Sequence, residues 1–221
     1  MSTTYAAQQP AWAIVARASS SGSGRLLGAA CIFRVPRELS RRESCTGAKY
    51  HRAPFRSPLM SGIDQRLRDL GLALPLPLQL PPGAVLPFPW IRIIGTRALI
   101  SGHGPTNGDG SLAGPLGKVG SDVSLEQAYV AARLTGLAIL GSLKRELGSL
   151  DRIAAWSRVF GMVNSAPGFN RQPAVINGFS DLVLEVFGPE KGAHARSAVG
   201  MAELPFNIPV EVEGEVELLA P

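Results

Sequence analysis

Arg196 stands in a run of small residues, Ala195-Arg196-Ser197-Ala198-Val199-Gly200, that leaves space around a guanidinium. Arginine's planar fork suits bidentate recognition of a carboxylate. Taken by itself, a strand arginine is more often a surface residue or an ion-pair partner, and the local sequence leaves both readings open. Downstream, Val210, Val212, Val216 and Leu218 alternate with Glu211, Glu213, Glu215 and Glu217. That is the two-residue period of a strand with one apolar and one acidic face. Such a face is ordinarily solvated. A glutamate drawn into a cleft would instead have a raised pKa suited to general acid–base work, and periodicity does not say which glutamate that is.

Other chemistry is thinly represented. The stretch Gly102–Gly117, GHGPTNGDGSLAGPLG, fits neither the P-loop nor the dinucleotide fingerprint and reads as a flexible loop. His103 follows Ser101 and Gly102 at a strand end, where it could line a pocket, but no acid at a telling spacing makes it a triad member. His51 and His194 are isolated, which argues against a zinc site. Ser157, Ser165 and Ser197 sit in no nucleophile elbow.

The elements that must hold these groups are legible. A short helix is expected over Ile63 to Leu70, then a proline-dense extended arm over 75–89. WIRIIGTRALISG reads as two β-runs about Gly95-Thr96. Ser124 and Gln127 form a capping box for a helix whose apolar face carries Leu125, Ala128, Ala131, Leu134, Ala138 and Leu147, with Gly148 placed to end it. A strand of about a dozen residues follows, with Ile153, Ala155, Val159 and Val163 on one side. A second helix runs from about Pro173 to Phe187, burying Val175, Ile176, Phe179, Leu182, Val183 and Val186. Two last strands, 195–202 and 210–218, are expected to face each other across 204–209. The order β-β-α-β-α-β-β predicts an α+β fold: a mixed sheet with two long helices packed on one face. The other face, left bare, is most cheaply covered by self-association.

Charge divides the chain. Of its 221 residues, 1–59 hold nine Lys/Arg against two acids, whereas 60–221 hold thirteen basic and fifteen acidic side chains. The basic balance thus belongs to the first segment, and a mildly acidic body weakens a nucleic-acid reading. Cys31 and Cys45 also lie in that segment, so the body needs neither a disulfide framework nor a thiolate metal site. No stretch reaches about 18 apolar residues, which argues against a membrane span. Residues 1–59 are read as a disordered extension or start-site error, with Met60 a natural start, and their Arg/Ser richness leaves an organelle transit peptide as the alternative. The body, 60–221, is one domain with its arm. The expected compartment is cytoplasmic, or an organelle if the transit peptide is genuine.

ISGHGP, VINGFSDLVLEVFG and above all ARSAVGMAELPFNIPVEVE resemble the RidA family, also called YjgF/YER057c/UK114. The resemblance covers about Pro87 to Leu218 and is nearest the branch with a helical start and a proline-rich arm. It implies a chorismate-mutase-like fold assembled as a homotrimer, with sheets lining a central barrel and clefts between subunits. It implies hydrolysis of reactive imines and enamines such as 2-aminoacrylate to 2-oxo acids and ammonia, without cofactor or metal. The carboxylate-binding arginine of that family falls on Arg196, the second-helix asparagine on Asn177, the strand glutamate on Glu211, and the serine and glycine after the early strand on Ser101 and Gly102. Two positions depart: Phe88 replaces a cleft tyrosine and Ala198 a cysteine. Phe88 keeps the ring and loses the hydroxyl, so a carboxylate-binding trimer without catalysis is the alternative. A small carboxylate is the expected ligand, with neither nucleic acid nor membrane as partner.

Overall fold

The computed structural model describes residues 62–80 and 83–220. The expectations for residues 1–59 lie outside the described residues, as does Met60. A short helix α1 (Ile63–Asp69) leads into the arm, and the ordered elements follow as β1 (Ile91–Ile94), β2 (Arg97–His103), α2 (Leu125–Leu147), β3 (Ile153–Asn164), α3 (Gln172–Gly192), β4 (Ala195–Met201) and β5 (Val210–Leu218).

Local chemistry sets the helix ends. The Ser124 hydroxyl accepts from the Gln127 backbone N–H while the Gln127 side chain accepts from the Ser124 N–H, so two otherwise orphaned amides are satisfied. At the other end Gly148, with φ 76°, terminates α2. The expected α3 face is buried throughout, from Val175 to Val186. Gly188, with φ 76° and ψ 171°, breaks α3 directly after Phe187, and one further turn follows.

One five-stranded sheet has the order β1-β2-β5-β3-β4. All neighbours are antiparallel except β3 and β4, which run parallel and therefore need α3 as their crossover. This corrects the pairing read from sequence. β4 and β5 do not face each other; they lie on either side of β3, and the 204–209 link carries the chain across its end. A short connection reads as a hairpin in sequence, but the parallel β3–β4 pair has already taken that edge.

A second difference lies in β3. Trp156 is buried and Ala155 only half so, because register shifts at Ile153/Ala155 and Trp156/Arg158 put two bulges against β5. Each bulge reverses the inward parity, so a strict two-residue count fails there. The glycine-rich segment is also pinned: Ala113 is buried with its N–H on the Pro105 carbonyl, and the Gly117 N–H meets the Asn207 carbonyl at 2.8 Å.

Both long helices cover the same face of the sheet, where Val159, Val163, Val210, Val212 and Val216 meet Phe179, Leu143 and Ile139. Gly178 lets the helices approach: a Cβ there would lie 2.0 Å from the Tyr129 carbonyl oxygen on α2. No described element covers the opposite face, which carries Leu99, Phe160 and Met162 among Arg97, Arg158 and the four glutamates. Arg97 grips Glu215 through two 2.6 Å hydrogen bonds, so that glutamate is an ion-pair partner.

Candidate functional site

The residues singled out from sequence fall into two clusters. In the first, Arg196 projects from edge strand β4 toward α3. Pairing with Val159, which is fully buried, fixes it on the helix-covered face. Its Nη1 donates to Asn177 Oδ1 at 3.0 Å and to Ser180 Oγ at 2.9 Å, and its Nη2 to the Pro173 carbonyl at 3.3 Å. All three acceptors are neutral. No carboxylate pairs with Arg196 among the described residues. Three of its five N–H groups are engaged, which leaves Nε–H and one N–H of Nη2 for an anion. Partial burial pulls its pKa below the usual arginine value, and Asp181 opposes that shift. Ala198, one strand period along, shares this face and adds no polar group.

Two residues of this cluster were missed in sequence. The His194 ring Nδ1 lies 2.7 Å from the Gly192 carbonyl, so that nitrogen carries the proton and Nε2 accepts from Ser180 Oγ at 3.0 Å. Ser180 thereby turns its lone pairs toward Arg196. Burial lowers the His194 pKa, which keeps the accepting form at neutral pH. His194 was read as isolated because Ser180 lies fourteen residues earlier, on another element.

The second cluster centres on Glu211. It sits opposite Met162 in β5, between the fully buried Val210 and Val212, and so projects from the bare face. Its carboxylate rests against Gly102, where a Cβ would lie 1.9 Å from Oε1. Gly102 and Ser101 occupy a bulge between Ile100 and His103 that aims this backbone at the glutamate. Burial first, then the neighbouring Glu213, raises the Glu211 pKa above the ordinary carboxylate value. Ser101 Oγ donates to the Pro89 carbonyl at 2.9 Å, which leaves it an acceptor toward any ligand. Next to Pro89, the Phe88 ring is 47% exposed and meets Trp90 edge-on.

His103 serves this cluster from behind. It is 6% exposed, donates from Nδ1 to the Ser101 carbonyl at 2.7 Å, and accepts at Nε2 from Ser142 on α2 at 2.9 Å. Burial lowers its pKa to about 4, so it is neutral and structural.

Arg196 and Glu211 do not meet within one chain. They occupy opposite faces of the sheet, with β3 between their strands. Among the described residues no group of three His, Cys, Asp or Glu could hold a metal ion, and no helix is long and apolar enough to cross a membrane.

Comparison with known proteins agrees with this architecture. Residues 65–214 match the family described as "YjgF/chorismate mutase-like, putative endoribonuclease". Protein TCP17 of Trypanosoma cruzi is 41% identical over 124 residues, which is 56% of this chain and 76% of that protein. The crystal structure of Atu1372, a protein of unknown function from Agrobacterium tumefaciens, is 39% identical with a TM-score of 0.62, covering 71% of this chain and 91% of that one. A structure from Shewanella oneidensis described as a "putative endoribonuclease" is 32% identical with a TM-score of 0.64, covering 72% of this chain and all of the other. A match over most of the described residues, joined to the five-stranded sheet and its two helices, places the chain in the YjgF (RidA) family.

Proposed function

We propose that the chain hydrolyses reactive imines and enamines derived from amino acids, of the 2-aminoacrylate type, to 2-oxo acids and ammonia in clefts between subunits of a homotrimer. The observation that carries this reading is the Arg196 guanidinium, held by three neutral acceptors with two N–H groups unengaged. An arginine fixed in that way is arranged for an anion that comes from outside the chain.

The two clusters then supply complementary work. Arg196 of one subunit holds the substrate carboxylate and so positions the imine carbon. Glu211 of the next, with its pKa raised, orients a water and takes a proton as the oxygen adds to that carbon. Returning that proton to nitrogen completes the carbinolamine, and a second transfer through Glu211, of the hydroxyl proton to nitrogen, lets the C–N bond break to the carbonyl and ammonia. Ser101 Oγ, already donating to Pro89, accepts from the substrate N–H. Imines hydrolyse in water unaided, so positioning and modest acid–base help suffice. The bare sheet face with Leu99, Phe160 and Met162 supports assembly, since a second and third copy would cover it.

The test is to generate 2-aminoacrylate in situ and follow pyruvate and ammonia. The wild-type chain is expected to accelerate release over the spontaneous rate and Arg196→Ala to lose most of that acceleration; equal rates for the two would sink the assignment.

A second reading is a non-enzymatic trimer that binds small carboxylate metabolites for sensing or regulation. Phe88 and Ala198 favour it, because neither brings a polar group to the cleft. Calorimetry with 2-oxo acids would then show Arg196-dependent binding without turnover. Ribonuclease activity, suggested by the name of the family, gains no support from the body's slight acidic excess.

A further inference from the structure

The stripe of α3 that holds Arg196 carries an acid that does not pair with it. Pro173 and Asn177, one turn apart, each accept from the guanidinium, as does Ser180. Asp181 is the next position at four-residue spacing and adjoins Ser180, so it lies on the same face of the helix. Its charge reaches Arg196, where it raises the pKa against the larger effect of burial. An aspartate in that place would ordinarily close on the guanidinium as a fork-to-fork pair. It would then occupy the N–H groups that an incoming carboxylate needs.

What holds it elsewhere is α2. Tyr129 donates its hydroxyl to Asp181 Oδ2 at 2.8 Å. The close approach of the two helices sets that reach. A Cβ on Gly178 would lie 3.2 Å from Tyr129 Cγ, so the ring rests against the glycine that follows Asn177. Burial first, and then Asp181, raises the Tyr129 pKa, which keeps the phenol protonated as the donor. Arg133, one turn along α2, is already paired with Glu185 at 2.5 Å. A carboxylate released by Tyr129 would therefore turn to Arg196, whose Nε–H is unengaged.

We propose that Tyr129 is a positioning residue for the cleft: by turning Asp181 toward α2, it keeps that carboxylate off Arg196 and leaves the guanidinium open to the substrate carboxylate. This role rests on Arg196 as the clamp in the function proposed above.

The test follows the Arg196 Nε–H resonance in the full chain carrying isotope-labelled arginine, assigned by its loss in Arg196→Ala. Tyr129→Phe keeps the ring against Gly178 and removes only the donor. It is expected to shift that resonance and slow its exchange with solvent, as a new ion pair would. It is also expected to weaken pyruvate binding in calorimetry about threefold, the scale of a partly exposed pair. On an Asp181→Asn background the same substitution is expected to change neither. The proposal is overturned if Tyr129→Phe leaves the resonance where it stands in wild type, or if its effects are the same on both backgrounds. A wild-type chain that failed to bind pyruvate would instead sink the carboxylate reading of the cleft, and the resonance would still decide whether Tyr129 holds Asp181 away.

Discussion

Arg196 and Glu211 project from opposite faces of one sheet, two strands apart, so no single chain brings the guanidinium to the carboxylate. If they serve one reaction, each site takes one residue from each of two copies. Arg196→Ala and Glu211→Gln should each lose most of the acceleration of the imine hydrolysis proposed above. Mixing the two variants, with dissociation and reassembly, should restore activity, because some interfaces then pair an intact arginine with an intact glutamate. For random assembly in a closed ring about a quarter of the interfaces are intact. Recovery to about that share of the wild-type rate is expected. A mixture no better than its parents would mean that the two residues do not share a site between subunits.

Gly102→Ala tests the support behind Glu211. A Cβ at 1.9 Å from Oε1 cannot be accommodated, but the atom it meets is the end of a flexible side chain. The carboxylate should swing away at little cost in stability, about 1 kcal/mol by the scale of overpacking. Turnover should fall by about tenfold or more, on the scale of lost general acid–base help. With less burial around it, Glu211 should also titrate nearer an ordinary glutamate, moving the acid limb of the pH–rate profile to lower pH. Unchanged turnover with a large fall in midpoint would show Gly102 to be a packing residue alone.

How much of this was legible in sequence follows from what periodicity can report. The α3 face and the α2 capping box could be read because both depend on residues within a few turns of each other. Strand order could not, since the 204–209 link has hairpin length whether it joins neighbours or steps over β3. Trp156 escaped because bulges reverse the inward parity of β3 and leave no local mark. At the site, spacing alone left Arg196 undecided between surface ion pair and anion grip. Only the family resemblance singled out Glu211 among four glutamates, and the structure adds a reason in its contact with Gly102. Ser180 and His194 lay beyond either route, being joined through space by one hydrogen bond.

Ser180→Ala would remove one acceptor from Arg196 Nη1 and leave His194 Nε2 without its donor. The guanidinium should then sample other orientations while Asn177 and Pro173 still hold it in part. Affinity for a 2-oxo acid such as pyruvate, measured by calorimetry, is expected to fall by about tenfold, the scale of one hydrogen bond. Asn177→Ala should do the same, and the double variant should approach Arg196→Ala. If Ser180→Ala bound pyruvate as wild type does, the serine would be a helix-packing residue with no part in presenting the arginine.

His103 makes the fold itself acid-sensitive. Its folded pKa is about 4 against 6.5 for the free side chain, because burial disfavours the imidazolium. Between those values the unfolded chain takes up a proton that the folded chain refuses, so stability present above pH 6.5 is lost as pH falls toward 4. A shift of that size corresponds to about 3 kcal/mol at the acid end. Protonation would also turn Nε2 from acceptor to donor and oblige Ser142 to reorient. His103→Gln retains a donor and an acceptor but does not titrate. Its unfolding free energy, followed by denaturant at pH 7 and again near pH 4, should therefore decline less than that of the wild type. Parallel declines for the two proteins would place the acid sensitivity elsewhere and show that the Ser101 carbonyl does not rely on a neutral His103.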